Sequence, residues 1–233
     1  KFILFFIAFY FIGGFITSFI LFINSRQSIL NRASEQLTIV KVVKKRQIES
    51  LYKDIIENIN NVKIFIDNYQ SYSNNRNNFP DDIITKHISE SRNLSDIIIF
   101  DNENKIYFGK MHINPIISSK LKYEIEKFRT NNSNYLIMDI IFDTIDMEPK
   151  QYVLSKQSFN KELYIIANEV NIDRINEIML ENKQNEGLGL SGESYIVGSD
   201  YLLRSNSRFM NLPVMTIKAN SQSVINSLKG ESS

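Results

Sequence analysis

Residues Tyr135–Val170 read YLIMDIIFDTIDMEPKQYVLSKQSFNKELYIIANEV. Three runs rich in β-branched and aromatic residues stand out: Tyr135–Asp143, Gln151–Gln157 and Glu162–Val170. Each has strand length and is bounded by turn formers, Pro149 and Asn160-Lys161 among them, so each is read as a β-strand. Upstream, DIIIF (Asp96–Phe100) and IYFGK (Ile106–Lys110) flank the turn DNENK and read as a hairpin. A short helix is predicted from Asp81, after Pro80. A second, NPIISSKLKYEIEKFR, has Pro115 in its first turn. The order helix, two strands, helix, three strands predicts an α+β module of five mostly antiparallel strands with helices on one face.

The chain has 233 residues, enough for one large domain or two small ones. Its formal net charge of +1 gives no electrostatic basis for binding nucleic acid. There is no cysteine, which removes disulfides, thiolate metal sites and thiol catalysis together. The two histidines, His87 and His112, lack a second ligand at metal spacing and read as surface or loop residues. No P-loop, nucleophile elbow or acid–base pair at a glycine-rich turn is present, so no catalytic residue, metal or cofactor is expected.

Phe2–Ile23, FILFFIAFYFIGGFITSFILFI, carries no charge over 22 residues. About 20 apolar residues cross the hydrocarbon core of a bilayer, so residues 1–24 are read as a transmembrane helix. The following NSRQSIL offers no small-x-small cleavage site. From Ser25 to Tyr69 there is neither proline nor glycine. Apolar residues recur at Leu37, Val40, Ile48, Leu51, Ile55, Ile59, Val62, Ile66 and Tyr69. That is the stripe of an amphipathic helix about 45 residues long, close to 70 Å at 1.5 Å per residue. The stripe must lie on a domain, on a second copy, or on both. Residues 25–79 are therefore a stalk helix and a loop.

After a helix capped by Asn171 comes GLGLSGESYIVGSDYLLRSNSRF, Gly187–Phe209. Gly187, Gly189 and Gly192 satisfy G-x-G-x-x-G, but a dinucleotide loop needs a strand before the first glycine and a helix after the last. Here a polar helix end precedes and a strand pattern follows, so the glycines are read as a helix stop and a turn. SYIVG and YLLRS then form a hairpin joined at Ser199-Asp200, and SQSVINSLKG a short helix.

The letters after those glycines resemble the G-x-G-x-[ST]-G-E-[ST]-Y-[LI]-V-G-x-D-x-x-x-R-S-x-S-R stretch of extracytoplasmic double-Cache sensor regions. These regions belong to bacterial receptors of the adenylate/guanylate cyclase, chemotaxis and sensor histidine kinase types. RASEQLTIVKVVKKRQIESLY, Arg32–Tyr52, looks like the start of their stalk helix. The resemblance implies a PAS-like, membrane-distal Cache module over residues 80–170 and a connecting helix over 171–186. It implies the beginning of a membrane-proximal module over 187–233. It also implies an inner-membrane protein whose residues after 24 face outward, with a cytoplasmic output domain beyond this sequence. Lys1 and Ser233 read as positions inside a longer chain. Glu193, Arg204, Ser205 and Arg208 match the pattern and are read as hydrogen-bonding, turn-fixing positions. Tyr201 stands where the family often has glycine.

In Cache modules the pocket lies between the sheet and the loops and helix above it. The candidate ligand contacts are accordingly Tyr107, Arg129, Tyr135, Asp139 and Tyr152. Each has a packing alternative, since strand tyrosines commonly bury the ring and wet the hydroxyl. The amino-acid-binding version of the family uses a tyrosine-arginine-tryptophan motif that this tryptophan-free chain lacks. The expected partners are a small molecule, the membrane and a second copy paired through the stalk helix. The competing reading is a membrane-anchored dimerisation scaffold without a ligand, in which charges at Leu51 and Ile55 abolish association while Asp139 and Tyr152 are dispensable.

Overall fold

The computed structural model describes residues 2–72, 81–108, 115–143, 148–180, 188–189 and 192–230. Helix α1 (Phe2–Tyr72) and α2 (Asp81–Glu90) precede β1 (Leu94–Phe100) and β2 (Ile106–Phe108). Then come α3 (Pro115–Thr130), β3 (Tyr135–Ile137), β4 (Ile141–Asp143), β5 (Glu148–Lys150), β6 (Tyr152–Phe159) and β7 (Glu162–Val170). Helices α4 (Ile172–Leu180) and α5 (Gln222–Leu228) follow. The fold is α+β, a long apolar N-terminal helix followed by an antiparallel sheet. Its contacts divide it into two units, Lys1–Lys45 with Gln184–Gly192, and Arg46–Lys183 with Glu193–Ser233.

In the first unit every described side chain from Phe2 to Ile39 is exposed, phenylalanines included. Helix α1 is long and apolar enough to cross a membrane. Thr17 returns its hydroxyl to the carbonyls of Gly13 and Gly14 at 3.1 and 2.9 Å, the usual way a hydroxyl is satisfied inside such a helix. The glycine-rich turn closes with Gly192 N–H donating to the Leu188 carbonyl at 3.1 Å. A Cβ on Gly192 would strike that same carbonyl. Gly187 and His112 lie outside the described residues.

The second unit is built on a five-stranded sheet of order β2-β1-β7-β6-β3, antiparallel at every pairing. Alternation along the strands divides its side chains between two faces. Ile98, Phe100, Leu154, Ile165 and Ala167 point to α3 and pack on Leu121, Ile125 and Phe128. Ile97, Ile99, Val153, Ile166 and Val170 point the other way, into clusters that hold Leu51, Ile55, Ile59, Val62 and Ile66 of α1. The sheet is thus covered on both faces, not one. The helix predicted as a stalk supplies the second cover, since a stripe of isoleucines needs an apolar partner and each buried one contributes roughly 1.5–3 kcal/mol. Leu51 and Ile55 are core residues, so charges there would attack folding before any association between copies.

The run Tyr135–Asp143 is not one strand. Tyr135–Ile137 joins β6, whereas Ile141–Asp143 leaves the sheet and pairs with β5 in a two-stranded ribbon. The break is the connector Met138–Ile140. Met138 N–H still donates to the Tyr152 carbonyl at 3.0 Å, but the Met138 carbonyl is taken by the Gln151 side-chain amide at 2.9 Å.

Asn171 caps α4 as expected, its Oδ1 accepting the Asp173 N–H at 3.1 Å. The hairpin at Ser199-Asp200 is present in short form. Val197 faces Leu203, with Gly198 N–H to the Leu202 carbonyl at 2.9 Å and Arg204 N–H to the Ile196 carbonyl at 2.7 Å. Thr216–Lys218 adds a third arm through Leu203 N–H to the Ile217 carbonyl at 3.0 Å.

Candidate functional site

Cross-strand register places Asp96, Glu169 and Tyr152 in one row over β1, β7 and β6. On this row the α3-facing side turns from apolar to polar. Tyr152 is fully buried, and its hydroxyl donates to Glu169 Oε2 at 3.2 Å. The other Glu169 oxygen holds Lys150 Nζ at 2.9 Å. Burial pushes the Tyr152 phenol well above its ordinary value, and the negative charges of Glu169, Asp96 and Asp143 push it further. Tyr152 is therefore a fixed hydrogen-bond donor at every physiological pH. It orients the Glu169 carboxylate, which is also the polar wall of a cleft.

That cleft has a volume of about 830 Å³ and lies between β5, the end of β7, α4 and residues 206–214. Its charged lining is Glu148, Lys150, Glu169, Asp173 and Arg208. Leu180, Phe209, Met210 and Val214 supply apolar surface. Small-molecule sites are typically of this size, with a few placed polar groups among apolar ones. The 206–214 wall is fastened from below. Asn206 N–H donates to Asn176 Oδ1 at 2.8 Å. Glu193 Oε2 accepts the Ser207 hydroxyl at 2.7 Å and the Arg208 N–H at 3.2 Å. The Arg208 guanidinium lies 5.7 Å from the centre of the Phe209 ring. Among the described residues no three histidine, aspartate or glutamate side chains converge as a metal site.

The structure disperses the five residues singled out from the sequence. Tyr152 reaches a cleft-lining group. Tyr107 packs edge-on against Tyr164 at 5.3 Å. Arg129 clamps the β1–β2 turn, donating to the Asp101 carbonyl, to Asn104 Oδ1 at 3.0 Å and to the Leu163 carbonyl at 3.1 Å. Tyr135 faces α1, its hydroxyl on Asn60 and its ring 5.3 Å from Lys63 Nζ. Asp139 forms a two-pronged ion pair with Arg204, both contacts at 2.8 Å. Glu169 and Lys150 escaped the sequence reading. A signal for Glu169 existed, because it alternates with Ile165 and Ala167 and so puts a carboxylate on a core face.

No protein-family model and no curated protein sequence matches the chain. Its fold is similar to that of the sensory domain of the Campylobacter jejuni chemoreceptor Tlp3 (CcmL), whose crystal structure has isoleucine bound. The TM-score is 0.55 at 15% sequence identity, over 87% of this chain and 79% of that one. At that identity the likeness is one of fold.

Proposed function

We propose that the chain is the extracytoplasmic ligand-sensing region of a membrane-anchored receptor, and that a small molecule occupies the cleft walled by Glu169 and residues 206–214. The observation that carries this reading is the fold it shares, over 87% of its length, with a sensory domain seen with a small molecule in place. Helix α1 supports it, since one uninterrupted element carries both the charge-free segment and the stripe under the sheet. The double-Cache division belongs to the same proposal: 80–170 as the distal module, 171–186 as the connecting helix and 187–233 as the opening of the proximal one. So do the inner membrane, an outward-facing chain after residue 24 and an output domain of cyclase, chemotaxis or kinase type.

The ligand class follows from the walls. The Lys150–Glu169 ion pair, Asp173 and Arg208 line a partly apolar cleft, which suits a small molecule bearing charge. The isoleucine of the Campylobacter domain is not carried over, because the tyrosine-arginine-tryptophan motif is absent. Of the five sequence-derived contacts, Tyr152 acts here through Glu169. Pairing of two copies through α1 uses Ile64 and Phe65, 56% and 49% exposed, since the stripe Leu51–Ile66 is buried on the chain's own sheet.

Calorimetric melting of the full chain in lipid nanodiscs, against a panel of charged small molecules with isoleucine included, tests the reading. Saturating ligand at about 100 times its Kd stabilises by about 2.7 kcal/mol. At least one compound should raise Tm by several degrees, and Glu169→Gln with Arg208→Gln should remove that rise. A panel without any shift, or a shift that both variants leave intact, would defeat it.

A further inference from the structure

Arg204 is only 6% exposed, yet it carries a full charge. Its Nε and Nη2 grip the two oxygens of Asp139 at 2.8 Å each. Nη2 also meets Asp200 Oδ2 at 2.9 Å, and Nη1 donates to the Leu202 carbonyl at 3.0 Å. Four donor contacts fix the guanidinium plane, and it lies directly on Gly198, where a Cβ would overlap the guanidinium carbon and both terminal nitrogens. Bidentate pairing of this kind is the strong, geometrically selective form of ion pair.

The partner, Asp139, sits in the Met138–Ile140 connector, where the chain leaves the sheet for the β4–β5 ribbon. That connector is held from its other side as well. Gln151, 5% exposed, donates to the Met138 carbonyl at 2.9 Å and accepts the Tyr52 hydroxyl of α1 at 2.8 Å. One contiguous set of polar contacts therefore joins α1 to the connector and the connector to the 196–204 hairpin. Every link is a directed hydrogen bond, and at its buried members, Arg204 and Gln151, losing a partner leaves a poorly solvated group unsatisfied.

We propose that the Asp139–Arg204 pair is a latch that couples the 193–218 segment to helix α1 through the Met138–Ile140 connector. Shifting the connector loosens both ends together. The latch does not depend on the cleft being a ligand site, so it stands or falls separately from the sensing reading.

A double-mutant cycle on the full chain in nanodiscs tests it, with hydrogen–deuterium exchange resolved for residues 196–204 and for the α1 turns around Tyr52. Arg204→Gln should speed exchange about ten-fold or more at both places, and Tyr52→Phe should loosen the hairpin in the parent chain but add little once Arg204→Gln is present. Gly198→Ala keeps every charge and displaces the guanidinium, so it should reproduce the distant effect at Tyr52. It carries the test, together with Asp139→Asn, if Arg204→Gln does not fold. Effects confined to each residue's own surroundings, within about two-fold at the far end and additive in the double variant, would overturn the latch.

Discussion

The five-stranded sheet and the segment Glu193–Ala219 achieve order by different routes. From Leu94 to Val170 the chain is held by backbone ladders sealed under apolar side chains of α1 and α3. From Glu193 to Ala219 only two isolated bridges exist, and side chains do most of the holding: Glu193 under Ser207, the Ser205 hydroxyl on Ile196 N–H at 3.0 Å, and Arg204 on two aspartates. A ladder spreads its stability over many equivalent bonds, so no single polar residue is decisive. A polar scaffold concentrates it in a few residues, each of which then becomes a point of control.

The sharpest way to break this contrast is in the core. Phe128 is fully buried between α3 and the sheet, and Phe128→Ala should cost about 3–5 kcal/mol in denaturant unfolding. A loss near zero would mean that α3 is not a true cover. Gly198→Ala comes next, at about 1–3 kcal/mol, because the new methyl must push a pinned guanidinium off Asp139.

Acid probes the same pair. The hydrogen bonds and charge of Arg204 hold the Asp139 and Asp200 carboxyls below their ordinary values. Groups depressed in the folded state stabilise it fully above their unfolded value of about 4 and lose that contribution as pH falls through the lower folded value. Both carboxylates are half-exposed, at 65% and 45%, so solvent screening limits the effect to about 1 kcal/mol. Asp139→Asn should flatten the stability–pH curve below about pH 4, and an unchanged curve would remove Asp139 from the scaffold.

The smallest effect concerns Tyr201, whose φ is +67° in the hairpin turn. Left-handed backbone costs an L-residue roughly 1–2 kcal/mol, and glycine avoids this at some cost in unfolded-state entropy. Tyr201→Gly should therefore raise stability by about 0.5 kcal/mol, read as a small rise in Tm.

Much of the sheet was legible because alternation and turn residues are local signals. Asp96–Phe100 and Glu162–Val170 fall within one or two residues of β1 and β7, and Asn171 caps where its side chain says it should. The division of Tyr135–Asp143 was not legible. Its composition is strand-like but for Asp139, and the side chains that hold the connector, Gln151 and an arginine 65 residues away, lie outside the run. The candidate site was hidden for the same reason, since Glu169, Lys150, Asn176 and Arg208 come from four separate elements and only the fold brings them to one cleft.

The sequence by itself determined the charge-free helix, the amphipathic stripe behind it, the α+β order and the turn character of the glycine-rich run. Each of these follows from side-chain periodicity within one segment. Tertiary structure alone decided that the stripe belongs to the chain's own sheet, that Asp139 answers to Arg204, and that Tyr152 orients Glu169. Those pairings join residues far apart in the sequence, and burial of the apolar stripe, of Arg204 and of Tyr152 leaves each stable only with its partner in place.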